Sequence, residues 1–210
     1  MHTARLVSVT PDAEKLIAYC ARVSSKNQEN ESIAGLLRFC MREGHFSIFE
    51  QAHMTVEVLT TPEISRQLLR HHDMRFQEFS QRYQDTTELG SWVIPNLRRQ
   101  DPKNRQSSHD TLDPEFKDLL EKKIDTLFAQ TFDLYEYMLS QGVAKETARS
   151  ILPIGGTRTK IYATTSLRTW IFYLKNRTDK ATQLEHRLVA ESIKGIFEEQ
   201  FPVIYEAAFT

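Results

Sequence analysis

The residues best suited to chemistry lie close together, between positions 66 and 83. The segment holds four arginines, two adjacent histidines and one serine, namely Arg66, Arg70, Arg75, Arg82, His71, His72 and Ser80. A guanidinium group presents a planar fork of N–H donors that suits phosphate oxygens, and a serine hydroxyl adds a compact donor. The segment therefore predicts a binding site for a phosphorylated small molecule. A solvated surface on which Asp73 and Glu78 pair with the arginines would explain the same composition.

Other kinds of site fit this segment less well. The sequence contains no G-x-G-x-x-G turn and no Walker loop, so side chains would have to hold a nucleotide. His71 and His72 are adjacent and would point about 100° apart on a helix, without an H-x-x-x-H pair, so we expect no metal site. Ser80 is better interpreted as a phosphate donor than as a nucleophile, because no fixed His/Asp arrangement can be read from the chain.

A second interpretation is a non-catalytic module that binds nucleotides or single-stranded nucleic acid through the patch from Arg66 to Arg82. Phe76, Phe79 and Tyr83 alternate with the cations there and could stack bases. The chain carries 27 basic and 28 acidic side chains, with a formal net charge of −1. It therefore lacks the positive field of a non-specific nucleic-acid binder. We expect small-molecule substrates and no nucleic-acid partner.

The elements that must position this segment follow from the apolar periodicity. Strands are predicted where apolar and polar residues alternate, at about residues 2–9, 52–60 and 157–165. Helices are predicted where apolar residues recur every three or four positions, at about residues 12–23, 30–43, 62–69, 114–140, 144–151, 166–176 and 179–200. The fold class is α+β, a mixed sheet packed with several long helices. Residues 98–114 are polar and are expected to form an exposed loop within a single domain over residues 1–210.

Composition excludes several classes of protein. The chain has 210 residues, of which 40% are hydrophobic and 26% charged, as in ordinary globular proteins. No apolar run approaches the roughly 18 residues of a membrane span, and the first residues lack the apolar core of a secretion signal. Cys20 and Cys40 form no C-x-x-C pair and fall at helical core spacing, which favours buried, inert thiols. We expect a cytoplasmic protein with no membrane partner.

The motif Arg70-His71-His72, followed after seven residues by Ser80-Gln81-Arg82, resembles the R-H-R-x7-S-x-R signature of the flavin-dependent thymidylate synthases. Gln67, ahead of the motif, also resembles the family. Further blocks resemble it in order and spacing: Ala21-Arg22-Val23-Ser24, Gly44-His45-x-Ser47-x-x-Glu50, Glu146-Thr-Ala-Arg149-x-x-Leu-Pro153, Ser166-Leu-Arg168, and Asn176-Arg177-x-Asp179-x-Ala-x-Gln183-x-Glu185. Together they cover about residues 20–187.

The resemblance implies an activity, a fold and an assembly. Members of this family methylate dUMP to dTMP, with 5,10-methylenetetrahydrofolate as the carbon donor and NADPH as the reductant through FAD. They are homotetramers with an α+β fold, and their active sites are shared between subunits.

The resemblance also implies roles for individual residues. Those expected to contact FAD are Ser24, His45, Ser47, Arg70, His71, His72, Glu78, Ser166, Arg168 and Phe172. Those expected to contact dUMP are Gln67, Arg70, Glu78, Phe79, Ser80, Gln81, Arg82, Arg149 and Arg177. Arg177 would be catalytic, because a guanidinium beside the uracil edge stabilises negative charge on N3 and the adjacent carbonyl. Taken alone, Arg177 would be a cation that complements a helix C-terminus. Glu146 and Tyr83 resemble lining residues of the site.

The chain departs from the family pattern at three of the flavin positions. His72 stands where arginine is usual, and an imidazole is only partly charged near neutral pH. Ser166 and Phe172 stand where asparagine is often found. These changes imply weaker binding of FAD or a different contact to its adenine half. A third interpretation is therefore a protein that keeps the fold and has lost the flavin.

Overall fold

A computed structural model describes residues 1–210, which divide into two compact units. The long-helix unit consists of Met1, Leu59–Arg70 and Glu78–Ile161. The sheet unit consists of His2–Val58, His71–Gln77 and Tyr162–Thr210. The segment of residues 66–83 therefore contributes to both units, changing from one to the other after Arg70 and again after Gln77. The single domain expected from the sequence stays a prediction.

Six strands and eight α-helices make up the regular structure. The strands are β1 (Thr3–Val9), β2 (His53–Thr60), β3 (Arg75–Glu78), β4 (Arg99–Gln100), β5 (Ser108–His109) and β6 (Thr159–Ser166). The helices are α1 (Ala13–Ala21), α2 (Ala34–Arg42), α3 (Pro62–Leu68), α4 (Pro114–Ser140), α5 (Lys145–Ala148), α6 (Leu167–Arg177), α7 (Leu184–Gln200) and α8 (Pro202–Phe209). None of these helices is long and apolar enough to cross a membrane. The predicted α+β class is confirmed.

A four-stranded sheet in the order β1-β2-β6-β3 is the centre of the sheet unit. The predicted alternation in β2 is confirmed, since Met54, Val56 and Val58 are fully buried on one side. Helix α7 packs on β1, and α6 packs on α7 and on a 3₁₀ helix formed by Phe46–Gln51. Trp170 on α6 is fully buried, and its indole N–H donates to the carbonyl of Met54 at 3.0 Å. This bond fixes α6 against the centre of the sheet.

Some elements of the sheet unit differ from the prediction. Strand β3 and helix α8 were not predicted, because β3 has only four residues and α8 begins at Pro202 directly after α7. Helix α7 begins at Leu184, five residues later than expected. The side chain of Asp179 accepts from the N–H of Ala181 at 2.8 Å, which holds the preceding residues in a turn.

The long-helix unit is organised around α4, whose predicted bounds are confirmed. Asp113 caps the helix by accepting from the N–H of Phe116 at 2.9 Å. Phe132 and Tyr135 on α4 form a buried cluster with Ala148 and Leu152.

The apolar spacing of two helices also predicts that Leu69, Phe116, Leu119 and Leu127 face the core, and this prediction is wrong for these residues. Phe116, Leu119 and Leu127 on α4 are about half exposed, and Leu69 beyond α3 is 41% exposed. Apolar residues are found around much of the circumference of α4, so the sequence alone does not identify its inner side.

The predicted loop at residues 98–114 is mostly exposed and contains a small hairpin. Arg99 pairs with His109, and Gln100 pairs with Ser108. The carboxylate of Asp101 accepts from the N–H groups of Lys103 and Asn104 and lies 2.7 Å from the imidazole of His109. These contacts lower the pKa of Asp101 to about 2. The polar residues thus form a defined turn of their own.

Candidate functional site

In the long-helix unit, the turn that follows β3 is joined to α5 by side chains. The guanidinium of Arg82 lies 3.3 Å from the carboxylate of Glu146, and the ammonium of Lys145 donates to the carbonyl of Tyr83 at 3.1 Å. The carbonyl of Ser80 accepts from the N–H of Tyr83 at 3.1 Å, which closes the turn. The structure thus brings the second half of the arginine motif to the block that begins at Glu146.

Arg149 extends this group of cations. It is half-buried and opens the 3₁₀ turn Arg149–Ile151 that continues α5, one helical turn beyond Glu146. The Arg82–Glu146 pair is more than half exposed on both sides, and such a surface pair contributes at most about 1 kcal/mol. Arg82 can therefore exchange its carboxylate partner for a phosphate at little cost.

Glu78 anchors the start of the same turn. One oxygen of its carboxylate accepts from the hydroxyl of Ser65 at 2.7 Å and from the hydroxyl of Thr159 at 2.9 Å. Both hydroxyl-bearing residues are buried. The N–H of Phe79 donates to the carbonyl of Lys160 at 2.8 Å, so the backbone leaving β3 is also fixed.

The remaining residues predicted to contact dUMP lie in the same unit, apart from one. Gln67 is half-buried on α3, and Arg70 is exposed just beyond the end of that helix. Phe79 and Gln81 are half-buried within the turn. Arg177 lies in the sheet unit, as the last residue of α6.

Arg177 makes a specific contact with the histidine of the motif. Its Nε–H donates to Nε2 of His71 at 3.3 Å. Nε2 of His71 is therefore the acceptor in this contact. His71 also meets the ring of Tyr173 edge to face, with centroids 5.0 Å apart. His72, the next residue, is exposed, and its carbonyl accepts from Arg75 at 3.1 Å.

Two buried polar residues beside this contact were not predicted from the sequence. His186 on α7 is fully buried, and its Nε2 lies 3.2 Å from the hydroxyl oxygen of Tyr173. Burial, with further contributions from the positive charge of Arg177 and from His71, lowers the pKa of His186 to about 3. Burial also raises the pKa of Tyr173. The available signal was His186 at helical spacing with the core residues Val189 and Ala190.

Other residues predicted to contact FAD meet where α6 packs on the 3₁₀ helix Phe46–Gln51. Phe172 contacts Phe46 with ring centroids 4.8 Å apart, and Arg168 pairs with Glu50 at 2.9 Å. His45 and Ser47, at the start of the 3₁₀ helix, are exposed.

Two of the residues predicted to contact FAD stand apart from this contact or have partners within the protein. Ser24 is exposed in the turn after α1. Ser166 is only 4% exposed, and its hydroxyl caps α6 by accepting from the N–H of Thr169 at 3.4 Å. The hydroxyl of Ser166 also forms a hydrogen bond with the carboxylate of Glu50, which lowers the pKa of Glu50, and Arg168 lowers that pKa further. Ser166 therefore has hydrogen-bond partners within the protein, and only a small part of its side chain is accessible to a ligand.

A polar cleft of about 400 Å³ opens beside Ser166 in the sheet unit. Its lining residues are Glu50, His53, Asp73, Arg75, Thr164, Thr165, Ser166, Arg168 and Thr169. The two guanidinium groups can meet phosphate oxygens, and the carboxylates of Glu50 and Asp73 can accept from ribose hydroxyls. This set of donors and acceptors fits part of a dinucleotide cofactor such as FAD. Arg75 belongs to the arginine-rich segment predicted to bind a phosphorylated molecule, but neither it nor the threonines were predicted to contact FAD.

Comparisons with known proteins identify the family to which the chain is similar. The family model described as "Thymidylate synthase complementing protein" matches residues 5–203. The chain is 48% identical over 194 residues to the flavin-dependent thymidylate synthase of Synechocystis sp., covering 92% of this chain and 88% of the relative. It is 43% identical to the probable flavin-dependent thymidylate synthase of Paramecium bursaria Chlorella virus 1, with 98% of each chain covered.

A solved structure resembles the whole chain. The crystal structure of the UMP/dUMP methylase PolB from Streptomyces cacaoi, bound with 5-Br dUMP, superposes with a TM-score of 0.85 at 27% identity. The match covers 99% of this chain and 94% of that one. The resemblance inferred from the motifs is confirmed.

Proposed function

Because the chain belongs to the family of flavin-dependent thymidylate synthases, we propose that it methylates dUMP to dTMP, with 5,10-methylenetetrahydrofolate as the carbon donor and NADPH as the reductant through FAD. The similarity to a methylase that binds 5-Br dUMP supports a uracil nucleotide as the substrate. A non-catalytic nucleic-acid-binding module is not favoured, because these relatives are named as enzymes.

The observation that carries the proposal is the joining of the turn after β3 to α5. It brings the guanidinium of Arg82 to Glu146 on α5. Ser80 and Arg149 lie in the same unit. Arginine forks and a hydroxyl are the donors that a nucleotide monophosphate needs. We assign the phosphate of dUMP to these three side chains.

Arg177 is assigned the activation of the pyrimidine. A guanidinium beside the uracil edge stabilises the negative charge that develops on N3 and the adjacent carbonyl, which makes C5 more nucleophilic. Its Nε–H is directed at His71, so the two Nη groups are the donors available for that edge.

The residues around the polar cleft are assigned to the flavin. Arg75 and Arg168 would meet its phosphates, and Glu50 and Asp73 its hydroxyl groups. FAD, when bound, supplies the reducing equivalents that convert the transferred carbon to a methyl group. A protein that keeps the fold without flavin is distinguished by titrating FAD with and without dUMP, since no uptake in either case would contradict this assignment.

We also propose the homotetramer with shared active sites that the family resemblance implies. Its support is an exposed apolar stripe on α4, formed by Phe116, Leu119, Leu127, Leu134 and Tyr137, which are 49–62% exposed. The spacing is symmetric about the middle of the helix. A two-fold axis there would place Phe116 opposite Tyr137 and Leu119 opposite Leu134, with Leu127 at the axis. A second copy of the chain is therefore the natural partner of this stripe.

A cytoplasmic location is proposed from the cysteines. Cys20 and Cys40 are both free. Cys40 is only 5% exposed, and burial raises the pKa of its thiol, which makes it a poor nucleophile. Unpaired thiols of this kind fit a reducing compartment.

The experiment that tests the proposed function is formation of dTMP, followed by chromatography under low oxygen. Purified protein receives FAD, dUMP, methylenetetrahydrofolate and NADPH, and each component is omitted in turn. We expect dTMP only in the complete mixture, and none from Arg177→Ala that retains the wild-type unfolding midpoint. No product from folded wild-type protein that binds FAD would contradict the proposal.

A further inference from the structure

A buried polar pair lies behind the contact between Arg177 and His71. Tyr173 is 2% exposed and His186 is fully buried, and their side chains are 3.2 Å apart. Tyr173 precedes Arg177 by one turn of α6, so both side chains emerge on the same side of that helix. His186 reaches the pair from α7, which packs on α6.

The contacts form a continuous series from α7 to the catalytic guanidinium. The ring of Tyr173 lies edge-on to the ring of His71 at 5.0 Å, and the ring of His186 lies 6.2 Å from that of His71. His71 in turn accepts from Nε of Arg177. Trp170, also buried, closes the other side of Tyr173 with an edge contact at 5.6 Å.

We propose that His186 and Tyr173 are positioning residues, which hold the imidazole of His71 and, through it, the guanidinium of Arg177 in the orientation that pyrimidine activation requires. The proposal rests on the role of Arg177 given above.

The physical reason is that neither member of the buried pair can move alone. A buried tyrosine hydroxyl needs a hydrogen-bond partner, and His186 supplies it. The locked hydroxyl fixes the plane of the Tyr173 ring and thereby the edge that His71 contacts. His71 then presents Nε2 to Arg177, whose long side chain would otherwise sample several rotamers. A displacement of about 1 Å at a catalytic group can reduce the rate about 100-fold.

Three variants test the pair. His186→Leu removes the partner of the tyrosine hydroxyl, Tyr173→Phe removes the hydroxyl, and His186→Gln keeps a polar side chain able to pair with it. Val189→Ala is the matched control, because Val189 is also fully buried on α7, one turn from His186, and its truncation destabilises while both polar side chains of the pair are kept. Each variant is loaded with FAD and compared for kcat, for the KM of dUMP and for the unfolding midpoint.

We expect His186→Leu and Tyr173→Phe each to lower kcat by about 10- to 100-fold. The KM of dUMP should change less than about threefold, because other side chains are assigned to its phosphate. The double variant should be no slower than the slower single variant, since the two residues act as a unit. His186→Gln should recover most of the lost kcat, and Val189→Ala should keep it while losing stability. A wild-type kcat in His186→Leu, or an equal loss in Val189→Ala, would overturn the proposal.

A readout that does not depend on turnover separates this proposal from the proposed function. Crystal structures of wild type and of His186→Leu should differ in the Arg177–His71 contact, which is kept in wild type and in His186→Gln and lost in His186→Leu. If wild type forms no dTMP but the contact is lost in this way, the positioning stands and the proposed reaction fails. An unchanged contact in His186→Leu overturns the positioning whatever the activity.

Discussion

Lowering the pH from 7 to 5 should destabilise the folded chain through His186 by about 2 kcal/mol. The pKa of His186 is about 3 in the folded protein, against its usual value of 6.5. Between these two values the unfolded chain binds a proton that the folded chain excludes, so stability falls as the pH falls. The loss is about 1.4 kcal/mol per pH unit once the pH is well below 6.5. No such contribution is present above pH 7, where the ring is neutral in both states.

Urea unfolding at pH 7 and pH 5, at one fixed protein concentration, measures this contribution. Other groups also titrate in this interval, so the informative quantity is the difference between wild type and His186→Gln. The loss of unfolding free energy on acidification should be about 2 kcal/mol smaller in the variant. His72→Gln is the matched control at an exposed position, and it should lose as much stability as wild type. An equal loss in wild type and His186→Gln would show that the buried ring is protonated without penalty, contrary to this prediction.

Three further substitutions probe the packing, the phosphate site and the assembly of the chain. Gly156→Ala would place a Cβ 2.4 Å from the ring of Phe128, so urea unfolding should show a free energy of unfolding lower by about 1–3 kcal/mol. At Gly195 an added Cβ meets nothing within 4 Å, so the control Gly195→Ala should not lower that free energy. Arg82→Gln should raise the KM of dUMP about 10-fold or more through loss of a charge-assisted hydrogen bond, with little change in the unfolding midpoint; an unchanged KM would remove Arg82 from the site. Leu127→Glu should lower the assembly mass measured by light scattering, because the new carboxylate would meet its own copy at the two-fold axis; an unchanged mass would exclude the α4 stripe as an interface.

Local signals in the sequence were sufficient to predict the main elements. The Asp113-Pro114 pair marks a capped helix start, and α4 begins there as predicted. The alternation of apolar and polar residues in β2 identified the side of the strand that faces the core. It did not predict that Glu57, on the other side, is also buried. Glu57 is 8% exposed because Arg5 donates to both of its oxygens, at 2.7 and 2.9 Å. The two paired residues are 52 positions apart in the sequence, so a local hydrophobic pattern cannot predict their contact.

The part of the site that could be predicted is the part whose functional residues recur at a fixed spacing in the sequence. The motif beginning at Arg70 and ending at Arg82 identified the cations. The sequence did not show that Arg70 and His71 belong to different compact units. It also did not show that Arg82 pairs with Glu146. It also gave His186 no role, because a histidine at core spacing on a helix is interpreted as a packed residue until its partner on another helix is known.

Release of tritium from dUMP labelled at C5 is the decisive measurement for the proposed methylation, because the transferred carbon must displace that hydrogen. The protein is supplied with FAD, methylenetetrahydrofolate and NADPH under low oxygen, with Arg177→Ala as the control. We expect release that requires both the flavin and the reductant and that is lost in the variant. No release from folded wild-type protein at any concentration of FAD would contradict the proposed reaction, and equal release from Arg177→Ala would contradict the catalytic role of Arg177.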